Sequence, residues 1–355
     1  MLSYELVAFG APLQAARRDL PEPRGSEVLL RVTSCGVCHS DIHLRDGYYD
    51  LGGGKKLPVP RGVATLPHVL GHEIAGEVAA TGPDARGLEL GARRIAYPWI
   101  GCGACAICAR GDEQLCTRPR ALGISALGGY AEYVLLPHPR YLIDFGGVDE
   151  EFACTLACSG LTAYAALKKA LPLEPGDRLA IFGAGGVGLA AIALAERVTA
   201  IAPIVVELDA SRRAAALEAG ARIAIDPASL GGPRDFASRC GGRLHAAVDF
   251  VGASATAALA FENLTMGGKI VSVGLLGGAL ALPLPMLALR ALHLQGSYVG
   301  SLADMLELAG LARAGALRPL PVATRPLAEA DDALADLKAG HVVGRLILKP
   351  DRKPN

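Results

Sequence analysis

The stretch Arg178-Leu-Ala-Ile-Phe-Gly-Ala-Gly-Gly-Val-Gly188 decides the fold of this 355-residue chain. A short apolar run leads into the glycines, and an alanine-rich run, 189–197, follows them. Strand, glycine turn and helix in this order form the dinucleotide-binding fingerprint, because the glycines allow a tight turn and a close approach of the pyrophosphate to a helix N-terminus. We therefore predict that a dinucleotide is bound at Gly183, Gly185, Gly186, Val187 and Gly188.

Strand-like and helix-like runs alternate around this fingerprint. Helix-like stretches such as 210–219 and 256–263 separate the apolar runs, an alternation that predicts an α/β protein with a doubly wound parallel sheet. Earlier segments, including 27–32 and 128–136, are more typical of antiparallel strands in a turn-rich domain. We expect the tail after residue 300 to fold back onto that first domain. The strand-like runs of the parallel sheet are 178–182, 204–206, 221–225, 246–251 and 268–273.

Glu207 ends the second of these runs, nineteen residues after Gly188. An acidic residue at this place binds the ribose 2′-OH of the dinucleotide and would repel a 2′-phosphate, which favours NAD over NADP. Arg212 and Arg213 follow closely. NADP stays an alternative, because an arginine near the ribose can accept the phosphate.

A second cluster, Ser-Cys-Gly-Val-Cys-His-Ser-Asp-Ile-His at 34–43, mixes thiol, imidazole, hydroxyl and carboxylate groups. Such a mixture is typical of a metal site, and a catalytic zinc takes about three protein ligands while one position stays open. Candidate partners for Cys38 are His72 and Glu73 in Gly-His-Glu, and Cys158 in Cys-Ser-Gly. A redox pair of Cys35 and Cys38 is less favoured, since no thioredoxin-like pattern accompanies it.

Four further cysteines lie close together, separated by two, two and seven residues. Four thiolates from one lobe of chain can fill all positions of a tetrahedral zinc, which predicts a structural zinc site. The alternatives are an iron–sulfur cluster, whose fourth cysteine is usually closer or followed by proline, and four unrelated buried thiols. The four candidate ligands are Cys102, Cys105, Cys108 and Cys116.

Composition excludes several classes of partner. Lys plus Arg equals Asp plus Glu at 35 each, so no overall charge recruits nucleic acid or an anionic membrane. No apolar run approaches the roughly 18 residues that a spanning helix needs. The start of the sequence lacks a secretion-signal pattern, so we expect a cytoplasmic protein whose nine cysteines are ligands or free thiols.

Taken together, these motifs resemble the zinc-containing medium-chain alcohol dehydrogenases over essentially the whole chain. The resemblance implies a central Rossmann domain at 159–299 and a discontinuous, mostly antiparallel GroES-like catalytic domain at 1–158 and 300–355. It is carried by GVCHSD at 36–41, GHE at 71–73, the four-cysteine lobe, CSG at 158–160, GAGGVG at 183–188 and GR at 344–345.

The resemblance also assigns the two zinc ions. Cys38, His72 and Cys158 match the ligands of the family's catalytic zinc, and Glu73 matches an alternative ligand close to that metal. The four-cysteine lobe matches its structural zinc. The neighbouring Cys154 is interpreted as a small buried hydrophobic side chain.

Roles for further residues follow from the expected zinc chemistry and, for Trp99 and the cofactor residues, from the same resemblance. Ser40 is expected to accept the alcohol proton and His43 to carry it to bulk water, while Asp41 orients a metal-bound imidazole. Trp99 would line the substrate pocket. For the cofactor, the resemblance places Thr162 by the nicotinamide, His39 and Arg345 by the pyrophosphate, and Glu207 with Arg212 on the adenosine ribose.

The predicted function is therefore hydride transfer between NAD and primary or secondary alcohols, with aldehydes or ketones formed in the other direction. A polyol or other hydroxy-substrate dehydrogenase of the same superfamily is one alternative, and a non-catalytic NAD(H)-binding protein is another. The short segment 116–130 resembles the tetrameric microbial branch of the family. We accordingly expect a homo-oligomer, with a tetramer favoured over a dimer.

Overall fold

The computed structural model describes residues 1–59 and 63–351. This part of the chain contains two large sheets. The strands are β1 (Leu2–Leu6), β2 (Gln14–Arg17), β3 (Val28–Gly36), β4 (Tyr48–Asp50), β5 (Lys56–Pro58), β6 (His68–Val69), β7 (Glu73–Thr81), β8 (Arg93–Ala96), β9 (Tyr133–Leu136), β10 (Leu142–Ile143), β11 (Leu179–Phe182), β12 (Ile204–Val206), β13 (Ile223–Ile225), β14 (Leu244–Asp249), β15 (Leu264–Ser272), β16 (His293–Gly296), β17 (Val322–Pro326) and β18 (Arg345–Lys349). The helices are α1 (His39–Asp46), α2 (Ala106–Ala109), α3 (Glu150–Thr155), α4 (Leu161–Ala170), α5 (Gly186–Thr199), α6 (Ala210–Ala219), α7 (Pro233–Arg239), α8 (Ser254–Asn263), α9 (Leu284–Leu289), α10 (Leu302–Arg313) and α11 (Ala330–Ala339).

The predicted doubly wound sheet is confirmed. Six strands pair in the order β13-β12-β11-β14-β15-β16, and every pairing is parallel. Side chains alternate between its faces: Ile181 joins the core that contains α4 and α5, whereas Ala180 and Phe182 join the core that contains α7 and α8. Both faces are therefore covered by helices, as a buried parallel sheet requires.

One strand of this sheet was missing from the sequence prediction. The outermost strand, β16, has all four residues exposed, so it lacks the apolar run that marked its neighbours. Its pairing with β15 supplies the backbone contacts that make it a strand.

The second large sheet is mostly antiparallel and runs in the order β10-β8-β7-β3-β18-β17, with β9 also pairing with β3. Strand β18 comes from the end of the chain, and Ile347 and Leu348 pair with Gly36 and Cys35. The expected return of the tail onto the first domain is thus observed. This pairing brings Arg345 close to the segment that carries Cys38.

One of the two connections between the domains is a continuous helical segment. In this segment α3 and α4 are joined by a π-helical turn, Leu156–Gly160. The extra residue in such a turn rotates the side chains that follow it, and π-turns are frequent at functional sites. None of the helices in residues 1–59 and 63–351 combines the length and apolarity needed to cross a bilayer.

Candidate active site and metal centres

Cys38, His72 and Cys158 meet at one buried point, although they come from three distant parts of the sequence. Their Sγ and imidazole nitrogen atoms all lie within 4.8 Å of one another. Cys38 precedes α1, His72 precedes β7, and Cys158 lies in the π-helical turn. Two thiols and one imidazole with this spacing match the donor set of a catalytic zinc with an open fourth position.

Local structure at the start of α1 fixes Cys38. It is the N-cap residue, and its backbone N–H donates to Asp41 Oδ2 at 3.0 Å. The helix ends at Gly47, whose φ of 80° is the left-handed conformation that glycine adopts most easily. The sequence motif therefore folds into a short capped helix that places the Cys38 thiol at its buried end.

Asp41 lies behind His72. Its Oδ1 atom is 3.3 Å from His72 Nδ1 and accepts the Gly71 N–H at 3.1 Å. A carboxylate at Nδ1 favours the imidazole tautomer that leaves Nε2 free to bind a metal. The expectation that Asp41 orients the imidazole is thus matched by its position.

His72 is completely buried; its Nδ1 has Asp41 Oδ1 at 3.3 Å outside hydrogen-bond geometry, and its Nε2 has no hydrogen-bond partner at all. A buried polar atom without a partner is costly, so this nitrogen needs a ligand that the side chains do not supply. Burial lowers the pKa of His72, but Asp41 and Cys38 outweigh it and raise the pKa well above its usual value. A cation is therefore favoured at this position, and zinc fits the orphaned nitrogen and the adjacent thiols.

The two thiols differ in acidity. A hydrogen bond from Cys158 lowers the pKa of Cys38 well below its usual value, and the same contact raises the pKa of Cys158. Burying negative sulfur is expensive unless a positive charge compensates for it, which again favours a metal ion between the two.

Glu73 is buried beside these ligands but is held by other groups. Its Oε1 atom accepts the Ser159 N–H at 3.0 Å, and Oε2 is hydrogen-bonded to Arg345. A Cβ atom at Gly36 would lie 2.0 Å from Oε2, so glycine is required there. The structure thus places Glu73 next to the metal-ligand group with both of its oxygens engaged.

Ser40 and His43 lie on α1, three residues apart and so on the same face. His43 is partly buried, and its ring centroid is 5.0 Å from that of Tyr49. Burial lowers the pKa of His43, so its ring is neutral at pH 7 and can accept a proton. The order Cys38, Ser40, His43 leads from the buried ligand group towards the surface.

Aromatic rings close one side of the site. The Trp99 ring is buried, with its centroid 5.4 Å from His72 and its Nε1–H donating to the Ala157 carbonyl at 3.2 Å. Tyr298 meets Trp99 edge-on at 5.8 Å and is 51% exposed, so it lies at the mouth of the site. Tyr49 and Tyr298 were not recognised in the sequence, because neither belongs to a motif.

The four cysteines of the lobe also converge, with all Sγ atoms within 4.8 Å of one another. Backbone N–H groups point at the sulfurs: that of Cys102 donates to Cys116 Sγ at 3.3 Å, and that of Cys108 to Cys105 Sγ at 3.5 Å. A hydrogen bond from the Ala104 N–H lowers the pKa of Cys102 to about 6. N–H donors stabilise thiolates, so this lobe fits a cation bound by four sulfurs.

Glu113 anchors this lobe to the protein. The carboxylate is buried, accepts the Gly101 N–H at 3.0 Å and the Tyr141 hydroxyl at 2.7 Å, and pairs with Arg140 at 2.7 Å. Sequence analysis missed this role, because a glutamate in a polar loop carries no signal of burial. These contacts tie the lobe to Gly101, two residues after Trp99, and to the turn before β10.

The predicted glycine turn joins β11 to α5. Gly183 has φ of 88°, and a Cβ atom at Gly188 would lie 2.0 Å from the Gly183 carbonyl oxygen. Glycine is therefore required at both positions for this close packing. Helix α5 begins at Gly186 with no side-chain cap, so its first N–H groups face outward, as a pyrophosphate site needs.

Glu207 lies beside this turn. Its Oε2 accepts the Ala184 N–H at 2.7 Å, and its Oε1 accepts the Asp209 N–H at 2.9 Å. Arg212 points elsewhere, donating to the carbonyl oxygens of Gly340 at 2.6 Å and Val342 at 3.4 Å. The arginine expected at the ribose thus connects α6 to the C-terminal segment in this structure.

The other predicted cofactor residues lie around the same region. Arg345 is buried between Glu73 and the glycine turn, since a Cβ at Gly186 would lie 2.6 Å from its guanidinium. Thr162 is buried one turn after Cys158, and His39 is exposed at the start of α1. Val187 is partly buried in the first turn of α5. The metal-ligand group and the glycine turn are therefore linked directly through Arg345.

A cleft of about 440 Å³ opens between the two domains. The carboxyl ends of β14, β15 and β16 line one side, and Tyr49, Asp50 and Leu51 line the other. Ligands of open parallel sheets bind at the carboxyl ends of the strands, so this is the expected entrance for a cofactor and a substrate.

Comparison with known proteins agrees with this geometry. Residues 24–145 match the family model described as an alcohol dehydrogenase GroES-like domain, and residues 186–313 match the one described as a zinc-binding dehydrogenase. An NAD-dependent alcohol dehydrogenase of Sulfurisphaera tokodaii is 37% identical over 99% of this chain and 100% of its own length. An alcohol dehydrogenase of Geobacillus stearothermophilus is 31% identical over 97% of this chain and 98% of its own length.

Solved structures give the same result. The crystal structure of the alcohol dehydrogenase from the archaeon Aeropyrum pernix superposes with a TM-score of 0.88 and is 30% identical over 99% of this chain and 100% of that chain. Both predicted sheet domains and both groups of metal-ligand side chains are compatible with these matches. The chain belongs to the zinc-containing medium-chain alcohol dehydrogenase family.

Proposed function

We propose that this protein is a zinc-dependent alcohol dehydrogenase that transfers hydride between primary or secondary alcohols and NAD. The observation that carries the proposal is the convergence of Cys38, His72 and Cys158, with His72 Nε2 unpartnered, beside the glycine turn. The glycine turn and the metal-ligand group belong to different domains, and Arg345 lies between Gly186 of the turn and Glu73 beside the ligands.

Cys38, His72 and Cys158 would hold the catalytic zinc. Zinc supplies a Lewis acid that lowers the pKa of a hydroxyl group, and NAD supplies the hydride acceptor. Ser40 Oγ takes up the proton that leaves the alcohol, and His43 passes it towards bulk water, since its ring is neutral at pH 7. Trp99 excludes water from the inner end of the site.

The four-cysteine lobe would hold a second, structural zinc, giving two zinc ions per chain. Four sulfur ligands leave no position open, so this ion contributes to stability rather than to chemistry. The Glu113 contacts then connect the stabilised lobe to the segment before Cys102.

NAD rather than NADP is the proposed cofactor. The Glu207 carboxylate lies at the glycine turn, where it would bind the ribose hydroxyls and repel a phosphate. The two arginines that could accept a 2′-phosphate are engaged, Arg212 with Gly340 and Arg213 with the carbonyls of Glu207 and Leu208.

A homo-oligomer is proposed from the exposed edge of the parallel sheet, with a tetramer favoured over a dimer. Strand β16 offers unpaired backbone groups, and large apolar side chains near it are exposed, including Leu294 at 53% and Met266 at 66%. An exposed sheet edge offers backbone groups for pairing with another chain, and exposed apolar side chains beside it are typical of an interaction surface. A cytoplasmic location is proposed because six of the nine cysteines lie in metal-ligand groups.

The function is tested by following NADH absorbance with ethanol, 2-propanol, benzyl alcohol and sorbitol, with zinc content measured in parallel. We expect NADH to form with at least one of the first three alcohols and slower turnover of sorbitol, because Trp99 and Tyr298 present rings to the substrate. A preference for sorbitol would favour the polyol alternative. No turnover of any alcohol by zinc-replete protein would favour a non-catalytic NAD(H)-binding protein.

A further inference from the structure

Asp41 is the best-connected buried carboxylate near the proposed catalytic metal. Besides the contacts to His72 and Gly71 described above, its Oδ2 accepts the Cys38 N–H at 3.0 Å and the Tyr130 hydroxyl at 3.2 Å. Its exposure is zero. One carboxylate thus positions two ligands together, the imidazole of His72 and the backbone of Cys38.

Tyr130, three residues before β9, is the one side-chain hydroxyl among the described residues that donates to Asp41. Its hydroxyl lies 89 positions along the chain from Asp41 and is completely buried. Burial and the nearby Asp41 charge raise the pKa of Tyr130 well above its usual value, so the hydroxyl keeps its proton and acts as the donor.

The backbone of Tyr130 is held on both sides. Its N–H donates to the Leu70 carbonyl at 3.0 Å, and its carbonyl accepts the Tyr4 N–H at 2.9 Å. The ring packs against Gly71, where a Cβ atom would lie 2.4 Å from Tyr130 Cδ1. A side chain locked in this way cannot swing away, so its hydroxyl is a fixed donor to Asp41.

We propose that Tyr130 is a positioning residue for the catalytic metal site. Its hydroxyl holds the Asp41 carboxylate in the orientation that keeps Oδ1 beside His72 Nδ1 and leaves His72 Nε2 free for the metal. Without that hydroxyl, the carboxylate loses one of its two donors at Oδ2 and gains rotational freedom. The imidazole and the start of α1 would then be held less firmly.

This inference rests on the proposed function, since it assumes that zinc is bound by Cys38, His72 and Cys158. Partners of metal ligands typically change metal affinity by about 10- to 100-fold when they are removed. The effect of Tyr130 should therefore appear in metal retention, independently of turnover.

The experiment measures zinc release from holoenzyme into a chelating dye. Cys38→Ser first identifies which phase of release belongs to this site, because that variant should lack it while the four-cysteine lobe stays loaded. Tyr130→Phe keeps the ring and removes only the hydroxyl. Tyr97→Phe is the matched control, since Tyr97 is equally buried and its hydroxyl donates to the Gly300 carbonyl at 3.0 Å instead.

We expect the phase assigned to Cys38 to be at least about 10-fold faster in Tyr130→Phe and unchanged in Tyr97→Phe. Because Tyr130 acts through Asp41, adding Tyr130→Phe to Asp41→Asn should cause no further acceleration. Release at the wild-type rate would overturn the inference, and so would full additivity with Asp41→Asn.

Two other outcomes are also decisive. A Tyr130→Phe protein that does not fold would show that the hydroxyl serves the fold and not His72, and the inference would be wrong. If wild-type protein bears no zinc that Cys38→Ser removes, the proposed function itself fails. Wild-type zinc binding with unchanged release from Tyr130→Phe leaves the proposed function intact and rejects only the role of Tyr130.

Discussion

Cys38 and Cys105 are both free thiols in groups of metal ligands, but their surroundings differ. Cys38 is buried in the domain interior, and Cys105 is half-buried in the lobe. We expect Cys38→Ser to lower kcat by more than about 100-fold, beyond the loss typical for an outer partner of a ligand. Its Tm should change by less than about 4 °C, since the open site contributes little to folding.

Cys105→Ser is the matched variant, and the opposite order of effects is expected. Loss of a closed four-sulfur site should lower Tm first, with activity lost only as the protein unfolds. Calorimetry and initial rates on both variants check this. An unfolded Cys38→Ser protein or unchanged melting of Cys105→Ser would contradict the two assignments.

We expect the protonation of His43 to determine how the reaction rate depends on pH. Burial lowers its folded-state pKa below the usual value of about 6.5, so the ring is a proton acceptor above that pKa and is protonated below it. The log of kcat/KM should therefore fall on the acid side, with a limb below about pH 6.5. His43→Gln should flatten this limb and lower the neutral-pH rate by about 100-fold.

His138→Gln is the control for this profile, because His138 is exposed and remote in sequence from the metal-ligand motif. Its profile should match the wild-type profile. An unaltered acid limb in His43→Gln would show that another group carries the proton.

At the residue scale, we expect Glu207 to set the preference for NAD over NADP. Glu207→Ala removes the carboxylate that accepts the Ala184 N–H, and with it the charge that disfavours a 2′-phosphate. The ratio of kcat/KM for NAD to that for NADP should fall by about 10-fold or more, the equivalent of about 1.4 kcal/mol. Glu218→Ala, an exposed glutamate on α6, should leave the ratio unchanged; an equal ratio in both variants would place ribose recognition elsewhere.

At the scale of elements, the segment before β7 depends on Gly71. Its φ is 90°, and a Cβ atom there would also lie 2.8 Å from Cys35 Sγ in addition to the clash with Tyr130. Gly53 has φ of 61° but nothing within 4 Å. Gly53→Ala should therefore cost about 1 kcal/mol of unfolding free energy from backbone strain alone, whereas Gly71→Ala should cost roughly 1–3 kcal/mol more from the clash.

Urea unfolding of the two glycine variants measures this difference. Equal destabilisation would mean that the backbone conformation alone requires glycine at position 71. A larger effect of Gly71→Ala would show that the Tyr130 ring and the metal-ligand segment are packed as one unit.

At the scale of the whole molecule, we expect copies of this chain to associate through the exposed edge strand β16. Leu294 is 53% exposed on this edge strand, and Leu90 is 69% exposed on a loop before β8. Leu294→Arg should reduce the molar mass measured by light scattering after size exclusion, because it places a charge on the proposed contact edge. Leu90→Arg should not, and an unchanged mass for Leu294→Arg would mean that the oligomer uses another surface.

The parts of this protein that could be predicted from sequence are those whose signal is local. The glycine turn needs only neighbouring residues, since the tight bend and the helix N-terminus lie within one strand–turn–helix unit. The four cysteines of the lobe lie within fifteen positions and can surround one ion without help from distant parts of the chain. For Cys38, His72 and Cys158, recognition of the family motifs, and not spacing, suggested that they meet.

Other features depend on contacts that have no local pattern. The Tyr130 hydroxyl donates to Asp41, and Arg345 lies between Glu73 and the glycine turn. Arg212 was expected at the ribose, but it donates to the carbonyl of Gly340. The residues next to each of these side chains in the sequence do not predict its partner, because the two members of each pair are far apart in the chain. Strand β16 likewise had no apolar alternation and became a strand through its pairing with β15.

The sequence by itself determined the turn chemistry, the metal-ligand types and the alternation that makes an α/β sheet, because each depends on residues close together in the chain. Only the tertiary structure decided how the ligands are oriented and which charged groups are already engaged. Those properties depend on distances between side chains that folding brings together.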